Sequence, residues 1–448
     1  MPSMPSTPST PSTPSTPSTR STPGTRSTPG TANTSSNTAG VPEAGTLDRP
    51  LPDFPHPRSS GCPFGLSPEM RALPERGPLT RVRSWGDSTP WAVTGHAEQK
   101  VLLSDPRLSV DFSNPGFPSP VDPTHAHAGS TDMSFVGMDD PEHNRLRRMV
   151  SGAFTIKRVE AMRPRVRKMV DDFIDAMLEG PKPADLVRDF ALPIPSLVIS
   201  EMLGVPYEDH DFFQINSKTI VSTVATPEER RTAHANLATY LDELIGRKLT
   251  EPGDDLLSSL CVQIEAGELT RREAATMGVL LLLGGHETTA NMISLGTLLL
   301  LHHPDQLALI RDTDDPNVIR DGVEELLRYL SIVHLGRRRT ALEDIDVAGH
   351  TIRAGDGVIL LGELANRDPA IFPDPDSLDL TRNARQHQAF GAGTHHCVGQ
   401  PLARMELQVI YPTLFRRIPT LRAVGDLDTI PFKYDAVIYG LHSLPITW

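Results

Sequence analysis

The stretch that most restricts the fold is GVLLLLGGHETTANMISLGTLLLL, Gly278 to Leu301, the most apolar window of the chain. Its length would suit a membrane span. His286, Glu287, Thr288, Thr289 and Asn291 stand in its middle, however, where a charge in hydrocarbon is expensive. The window therefore reads as a buried helix of a soluble protein, with no membrane association. Gly284 and Gly285 each cost about 1 kcal/mol relative to alanine in such a helix, so something must justify them. Adjacent glycines loosen a helix and let a ligand approach its axis. An acid and two hydroxyls follow at once. Taken alone, a buried threonine bonding back to the preceding turn explains such a residue equally well.

The chain around this window is helix-rich. From Pro141 to about Leu301, apolar residues recur at three and four spacing, as in RVRKMVDDFIDAMLEG and ANLATYLDELIGRKL. Strand character is confined to Trp91-Ala92-Val93, which gives way to helix at His96, and to short runs between glycines after Leu330. A last helix follows Cys397. The fold class is mainly α with a minor β region. Residues 1–50 repeat Pro, Ser and Thr and have almost nothing to bury, so they read as a disordered tail, with a single domain over 51–448. Ser109 to Asp140 is a long, aperiodic, Pro/Gly-rich loop, a type that is usually functional.

Charge and cysteine content narrow the function. A net charge of -13 argues against general nucleic-acid binding, which needs a basic field. Three cysteines, Cys62, Cys261 and Cys397, are too few and too odd for a disulfide framework. They suggest reduced thiols and a cytoplasmic setting.

Cys397 has the most informative surroundings, FGAGTHHCVGQPLARME from Phe390 to Glu406. Gly391, Gly393 and Gly399 let the backbone turn tightly and approach a flat ligand. A helix begins just after the cysteine, and a helix N-terminus favours the thiolate. Such a thiolate is a nucleophile or a metal ligand. The stretch resembles the haem-binding loop of the cytochrome P-450 family, Phe-Gly-x-Gly-x-His-x-Cys-x-Gly. Phe390, Gly391, Gly393, His395, Cys397 and Gly399 fill every fixed position. The resemblance implies the fold of that family, a long central helix over a Cys-ligated haem b. Cys397 would be the iron ligand, with electron push favouring O–O cleavage. Phe390 would pack by the sulfur and His395 would reach a haem propionate.

Four further segments are similar to the same family. Gly284, Gly285, Glu287 and Thr288 match its central-helix motif, which implies proton delivery to dioxygen by Thr288 with Glu287 relaying protons from solvent. Leu280, Leu283 and Gly284 would face substrate. Glu325 and Arg328, spaced i,i+3, match its buried Glu-x-x-Arg pair. The arginine that normally completes that network is replaced by Ser377 in FPDPDSLDLTR, leaving Arg382 or water to close it. His143 and Arg147, one helical turn apart, and Arg339 match its cationic partners for haem propionates.

No dinucleotide-binding glycine fingerprint and no iron–sulfur cysteine set is present. The resemblance implies a ferredoxin and its reductase, using NAD(P)H, as electron donors. Arg145, Arg148 and Arg404 are candidates to dock an acidic ferredoxin. The chain is expected to be a monomer. Leu280, Leu283, Val333, Leu335 and Ile438 are apolar candidate substrate contacts, suiting a bulky secondary metabolite such as a macrolide. The alternatives are a xenobiotic-, terpene- or fatty-acid-hydroxylating member, a peroxide-driven or aromatic-coupling member, and a non-catalytic haem sensor.

Overall fold

A computed structural model describes residues 50–448 apart from 57, 59, 60, 62, 120–133, 223 and 435. Residues 1–49 of the expected tail, Cys62 and the middle of the 109–140 loop thus lie outside the described residues. The α-helices are α1 (Pro68–Ala72), α2 (His96–Leu102), α3 (Glu142–Ser151), α4 (Ile156–Glu179), α5 (Pro193–Leu203), α6 (His210–Val221) and α7 (Pro227–Lys248). They continue as α8 (Leu256–Glu265), α9 (Arg271–Leu301), α10 (Pro304–Arg311), α11 (Pro316–Leu330), α12 (Gly362–Ala365) and α13 (Gln400–Arg417).

The apolar window lies in α9. Thr270 and Glu273 start this helix with a reciprocal cap. The Thr270 hydroxyl accepts from the Glu273 N–H at 3.1 Å, and the Glu273 carboxylate accepts from the Thr270 N–H at 2.8 Å. From there α9 stays buried over most of its length and packs against α5, α7 and α13. Gly285 has a packing reason. A Cβ there would lie 2.9 Å from Ile199 of α5, so any side chain would push the two helices apart. Near the other end, the Tyr411 hydroxyl of α13 donates to the Met292 carbonyl at 2.5 Å. No helix of the described residues is long and apolar enough to cross a membrane. The polar interruption at 286–291 breaks the apolar run, and neighbouring helices cover its flanks.

The β component is small. Strands β1 (Leu79–Arg81), β2 (Trp91–Val93), β8 (Gly357–Leu360), β5 (Arg337–Ala341) and β3 (Leu108–Ser109) form one sheet in that spatial order. Strands β4 (Ala184–Asp185), β10 (Pro445–Thr447) and β9 (Arg422–Ala423) form a second, and β6 (Ile345–Val347) pairs β7 (His350–Ile352) as a hairpin. Isolated bridges join Ser222 to Ala436 and Val333 to Ile438, tying the end of α6 and the segment before β5 to the C-terminal loop.

The Glu325–Arg328 pair of α11 is fully buried and bidentate, with N–O distances of 2.6 and 2.7 Å. Arg328 also donates to the carbonyls of Asn366 at 2.8 Å and Pro375 at 2.9 Å. Arg382 closes the network, 3.3 Å from Glu325. Ser377 instead donates its hydroxyl to Asp374 at 2.5 Å. Glu325→Gln strips the countercharge from a buried guanidinium and is expected to destabilise the protein by about 3–5 kcal/mol. Denaturant unfolding measures this, and a loss under about 1 kcal/mol would show that the backbone carbonyls suffice for Arg328.

Candidate active site

The loop before α13 presents Cys397 with an accessible surface. Its N–H donates to the Phe390 carbonyl at 3.0 Å, and the His396 N–H donates to the Gly393 carbonyl at 3.1 Å. Gly391 and Gly393 take φ of 73° and 69°, the left-handed region that glycine enters without strain. A Cβ at Gly393 would also lie 2.2 Å from the Leu103 carbonyl. Gly399 differs from expectation. Its backbone is ordinary, with φ of -80°, and a Cβ there would meet nothing closer than Phe154 at 4.0 Å. Neither turn geometry nor crowding within the protein calls for a glycine at that position.

The loop is braced from behind. The Ala389 N–H donates to His387 Nδ1 at 3.1 Å, so Nε2 carries the proton and donates to Glu324 at 3.0 Å. Arg404 pairs with the same carboxylate at 2.5 Å and stacks 4.6 Å from the centre of the Phe390 ring. Burial would raise the Glu324 pKa, but His387 and Arg404 outweigh it and bring it down to about 2. Sequence reasoning missed this brace because its members come from three separate segments.

The thiol corrects a second expectation. Burial raises the Cys397 pKa and outweighs the Gly399 N–H and the charges of Arg147, Arg337 and Arg404, which lower it. The helix start does not by itself yield a thiolate. A bound metal does, since it deprotonates a coordinating thiol outright. Among the described residues no group of three His, Cys, Asp or Glu side chains could hold a metal ion. A metal here must therefore bring its other ligands with it. Cys397 itself has an accessible surface, as an incoming group requires.

The cations expected around that group do converge. The His143 and His395 rings lie 4.2 Å apart. Arg147 donates to the His396 carbonyl, beside Cys397. The charges of Arg339, His143 and Arg147 act with burial to bring the His395 pKa down to about 3. His143 donates from Nδ1 to Asp140 at 3.2 Å, while its buried Nε2 has no partner. Arg147 and Arg339 have no carboxylate in a salt bridge among the described residues. Two arginine cations without carboxylate partners, beside two neutral imidazoles, suit a ligand carrying carboxylates, which a haem with its two propionates supplies.

On α9, Gly284 is exposed, and a Cβ there would have nothing within 4 Å. One turn on, the Thr288 hydroxyl donates to the Gly284 carbonyl at 2.6 Å. The bond back to the preceding turn is therefore real, and it faces the open side of the helix. Leu280 and Leu283 are half-buried on this helix. The Val333–Ile438 bridge brings two further candidates together, and Leu335 follows two residues after Val333 on an alternating run, half-buried like them.

Glu287 is placed otherwise than expected. It does not look toward solvent. It is buried and ion-paired with Lys433, and Asn291 donates to it at 3.3 Å. Lys433 in turn donates to Asn291 at 3.0 Å. Gly440 lets the C-terminal loop close on this group, since a Cβ there would lie 1.8 Å from the Asn291 side-chain oxygen. Burial alone would raise the Glu287 pKa, but Lys433 and the other polar neighbours outweigh it and hold the carboxyl low. Removing the lysine charge in Lys433→Met leaves burial in control, so the Glu287 pKa rises. The acid limb of the pH–turnover profile is expected to move up by about one unit or more. An unmoved profile would show that Glu287 ionisation does not matter to turnover.

Two of the three candidate docking arginines are committed within the chain. Arg145 pairs with Glu142 and Glu273, and Arg404 pairs with Glu324. Among the described residues Arg148 alone of the three forms no salt bridge, its Nε donating to the Asn144 carbonyl at 3.0 Å.

Comparison with known proteins places these features in context. Residues 308–420 match the family model described as Cytochrome P450. The chain is 52% identical over 408 residues to Cytochrome P450 GfsF of Streptomyces halstedii, covering 91% of this chain and 98% of that one. The crystal structure of GfsF superposes with a TM-score of 0.83 over 89% of this chain and all (100%) of that one. It is 47% identical to pentalenic acid synthase of Streptomyces avermitilis, over 88% of this chain and 97% of that one. The structure of the mycinamicin VIII C21 methyl hydroxylase MycCI of Micromonospora griseorubida, bound to mycinamicin VIII, is 38% identical with a TM-score of 0.83, over 89% of this chain and 100% of that one.

Proposed function

The chain belongs to the cytochrome P450 family and is a haem-dependent monooxygenase; from that premise we propose that it hydroxylates or epoxidises a bulky apolar secondary metabolite, a macrolide above all, with electrons from a ferredoxin and its reductase. Haem, when bound, supplies the iron at which dioxygen is reduced and one oxygen atom is passed to substrate. The chain's own residues supply the rest. Cys397 would ligate the iron. His143, Arg147, Arg339 and His395 would hold the propionates, and Phe390, Gly391 and Gly399 shape the cysteine loop. Thr288 is the proton donor on the open face of the central helix, and Glu287 is its acidic neighbour, held ionised by Lys433.

The observation that supports dioxygen chemistry is the Thr288 hydroxyl on the open face of the central helix, bonded to the Gly284 carbonyl, in a chain that also carries the cysteine loop. A non-catalytic haem sensor has no need of Glu287 and Thr288, and neither does a peroxide-driven member. The apolar side chains of Leu280, Leu283, Val333, Leu335 and Ile438 support an apolar substrate. That MycCI is a methyl hydroxylase bound to mycinamicin VIII supports a large one. A small terpenoid or fatty acid is the competing substrate class. The ferredoxin rests on the lack of any flavin or dinucleotide fingerprint in the sequence. A cytoplasmic monomer completes the proposal.

An absorbance titration of the ferric protein tests the substrate. A low- to high-spin shift with macrolactones supports the tailoring role. A shift only with small terpenes or fatty acids moves the assignment to catabolic or detoxifying hydroxylation.

A further inference from the structure

Strand β5 carries three consecutive arginines, Arg337, Arg338 and Arg339, and only Arg339 has a role so far. Alternation along the strand puts Arg337 and Arg339 on one face and Arg338 on the other. The contacts agree. Arg338 stands 5.5 Å from the Phe117 ring, while Arg337 turns to the cysteine loop and donates to the Ala389 carbonyl at 2.8 Å. Its Nε would lie 3.2 Å from a Cβ at Gly391, and its Nη1 2.6 Å from one at Gly362. A side chain at either position would crowd it and make it shift. Antiparallel pairing with Leu360 and Val358 of β8 fixes the register of the two arginines, roughly 7 Å apart along the strand.

No carboxylate among the described residues forms a salt bridge with Arg337, and its one protein acceptor is a backbone carbonyl. Burial brings its pKa down to about 10 against the opposing pull of Cys397, so the guanidinium is still charged at neutral pH. A half-buried cation without an anion is costly. The fold sets two such cations side by side, Arg337 toward the Phe390 end of the loop and Arg339 toward His395.

We infer that Arg337 is a further carboxylate-binding residue of the cofactor site, completing with Arg339 a two-guanidinium edge on β5 for the haem propionates. This rests on the haem-thiolate reading above. Its consequence is a cofactor held from the strand side at two points, in addition to His143, Arg147 and His395.

Haem loss to an excess of apomyoglobin tests it, using holoprotein loaded with haem or with haem dimethyl ester, whose propionates are uncharged. Arg337→Met is expected to lose haem about ten- to a hundredfold faster than the parent, the range for a hydrogen bond between charged groups. Arg337→Lys is expected to recover part of the difference. With the dimethyl ester, parent and variants are expected to lose cofactor at one rate. Equal rates with natural haem overturn the inference. So does an equal acceleration with both cofactors, which would make Arg337 a prop for the 389–391 loop. If the methionine variant does not fold, Arg337→Lys carries the same two-cofactor comparison. Failure of the parent reading is distinct, since the parent protein's reduced carbon-monoxide complex would then lack a thiolate-type spectrum whatever Arg337 does.

Discussion

Cys397→Ser yields a protein that still takes up haem but turns over only at background. Two separate parts of the site give this outcome. In the proposed reading the arginines on α3 and β5, with the neutral histidines His143 and His395, hold the cofactor by its carboxylates, and the substitution leaves all of them in place. The axial ligand alone changes. An alcohol is far less acidic than a thiol, and Cys397 is already in a setting where burial raises the pKa. A serine hydroxyl there stays protonated and gives a neutral, hard ligand in place of a soft anionic one. The electron push that favours O–O cleavage is lost. Haem content by pyridine haemochrome and product formation with a surrogate ferredoxin system measure the two halves. Retained turnover would remove Cys397 from its role.

Thr288→Ala separates electron consumption from product. Its hydroxyl is the donor group on the face of α9 that Gly284 leaves open, with its hydrogen-bond acceptor one turn back. Alanine keeps the helix and removes the donor. Haem binding and substrate affinity are expected to hold, since neither depends on this side chain. Product per electron is expected to fall by about tenfold or more, toward the lower end of what a positioned acid contributes. The missing electrons are expected as hydrogen peroxide, two electrons and two protons for each dioxygen. Thr288→Ser keeps a hydroxyl and is expected to recover most of the coupling. Unchanged coupling in the alanine variant would show that protons arrive by another route.

What could be read from the sequence was what is local in it. The cysteine loop packs its glycines, histidine and thiol into ten residues, and Gly391 and Gly393 take the left-handed turns that such a run of glycines suggests. The central helix declared itself through apolar length, and its polar interruption holds both the buried Glu287 and the Thr288 on the open face. The i,i+3 spacing placed Glu325 against Arg328, and Arg382 was one of two ways left to close that network. What could not be read depends on distant partners. Lys433 meets Glu287 from 146 residues away, and no pattern near either residue announces the other. Burial at Cys397, which reversed the expected effect of the helix start, is likewise a property of the packed fold. Arg337 needed the strand register, because three arginines in a row look alike until alternation sends one of them the other way.

The reduced carbon-monoxide difference spectrum of the unmodified holoprotein tests the central claim most directly. A Soret band at the strongly red-shifted, thiolate-type position, in full proportion to haem content, is the expected result. A band at the position given by histidine or other neutral ligands, in freshly purified and active-temperature protein alike, would contradict Cys397 as the ligand and the monooxygenase chemistry built on it.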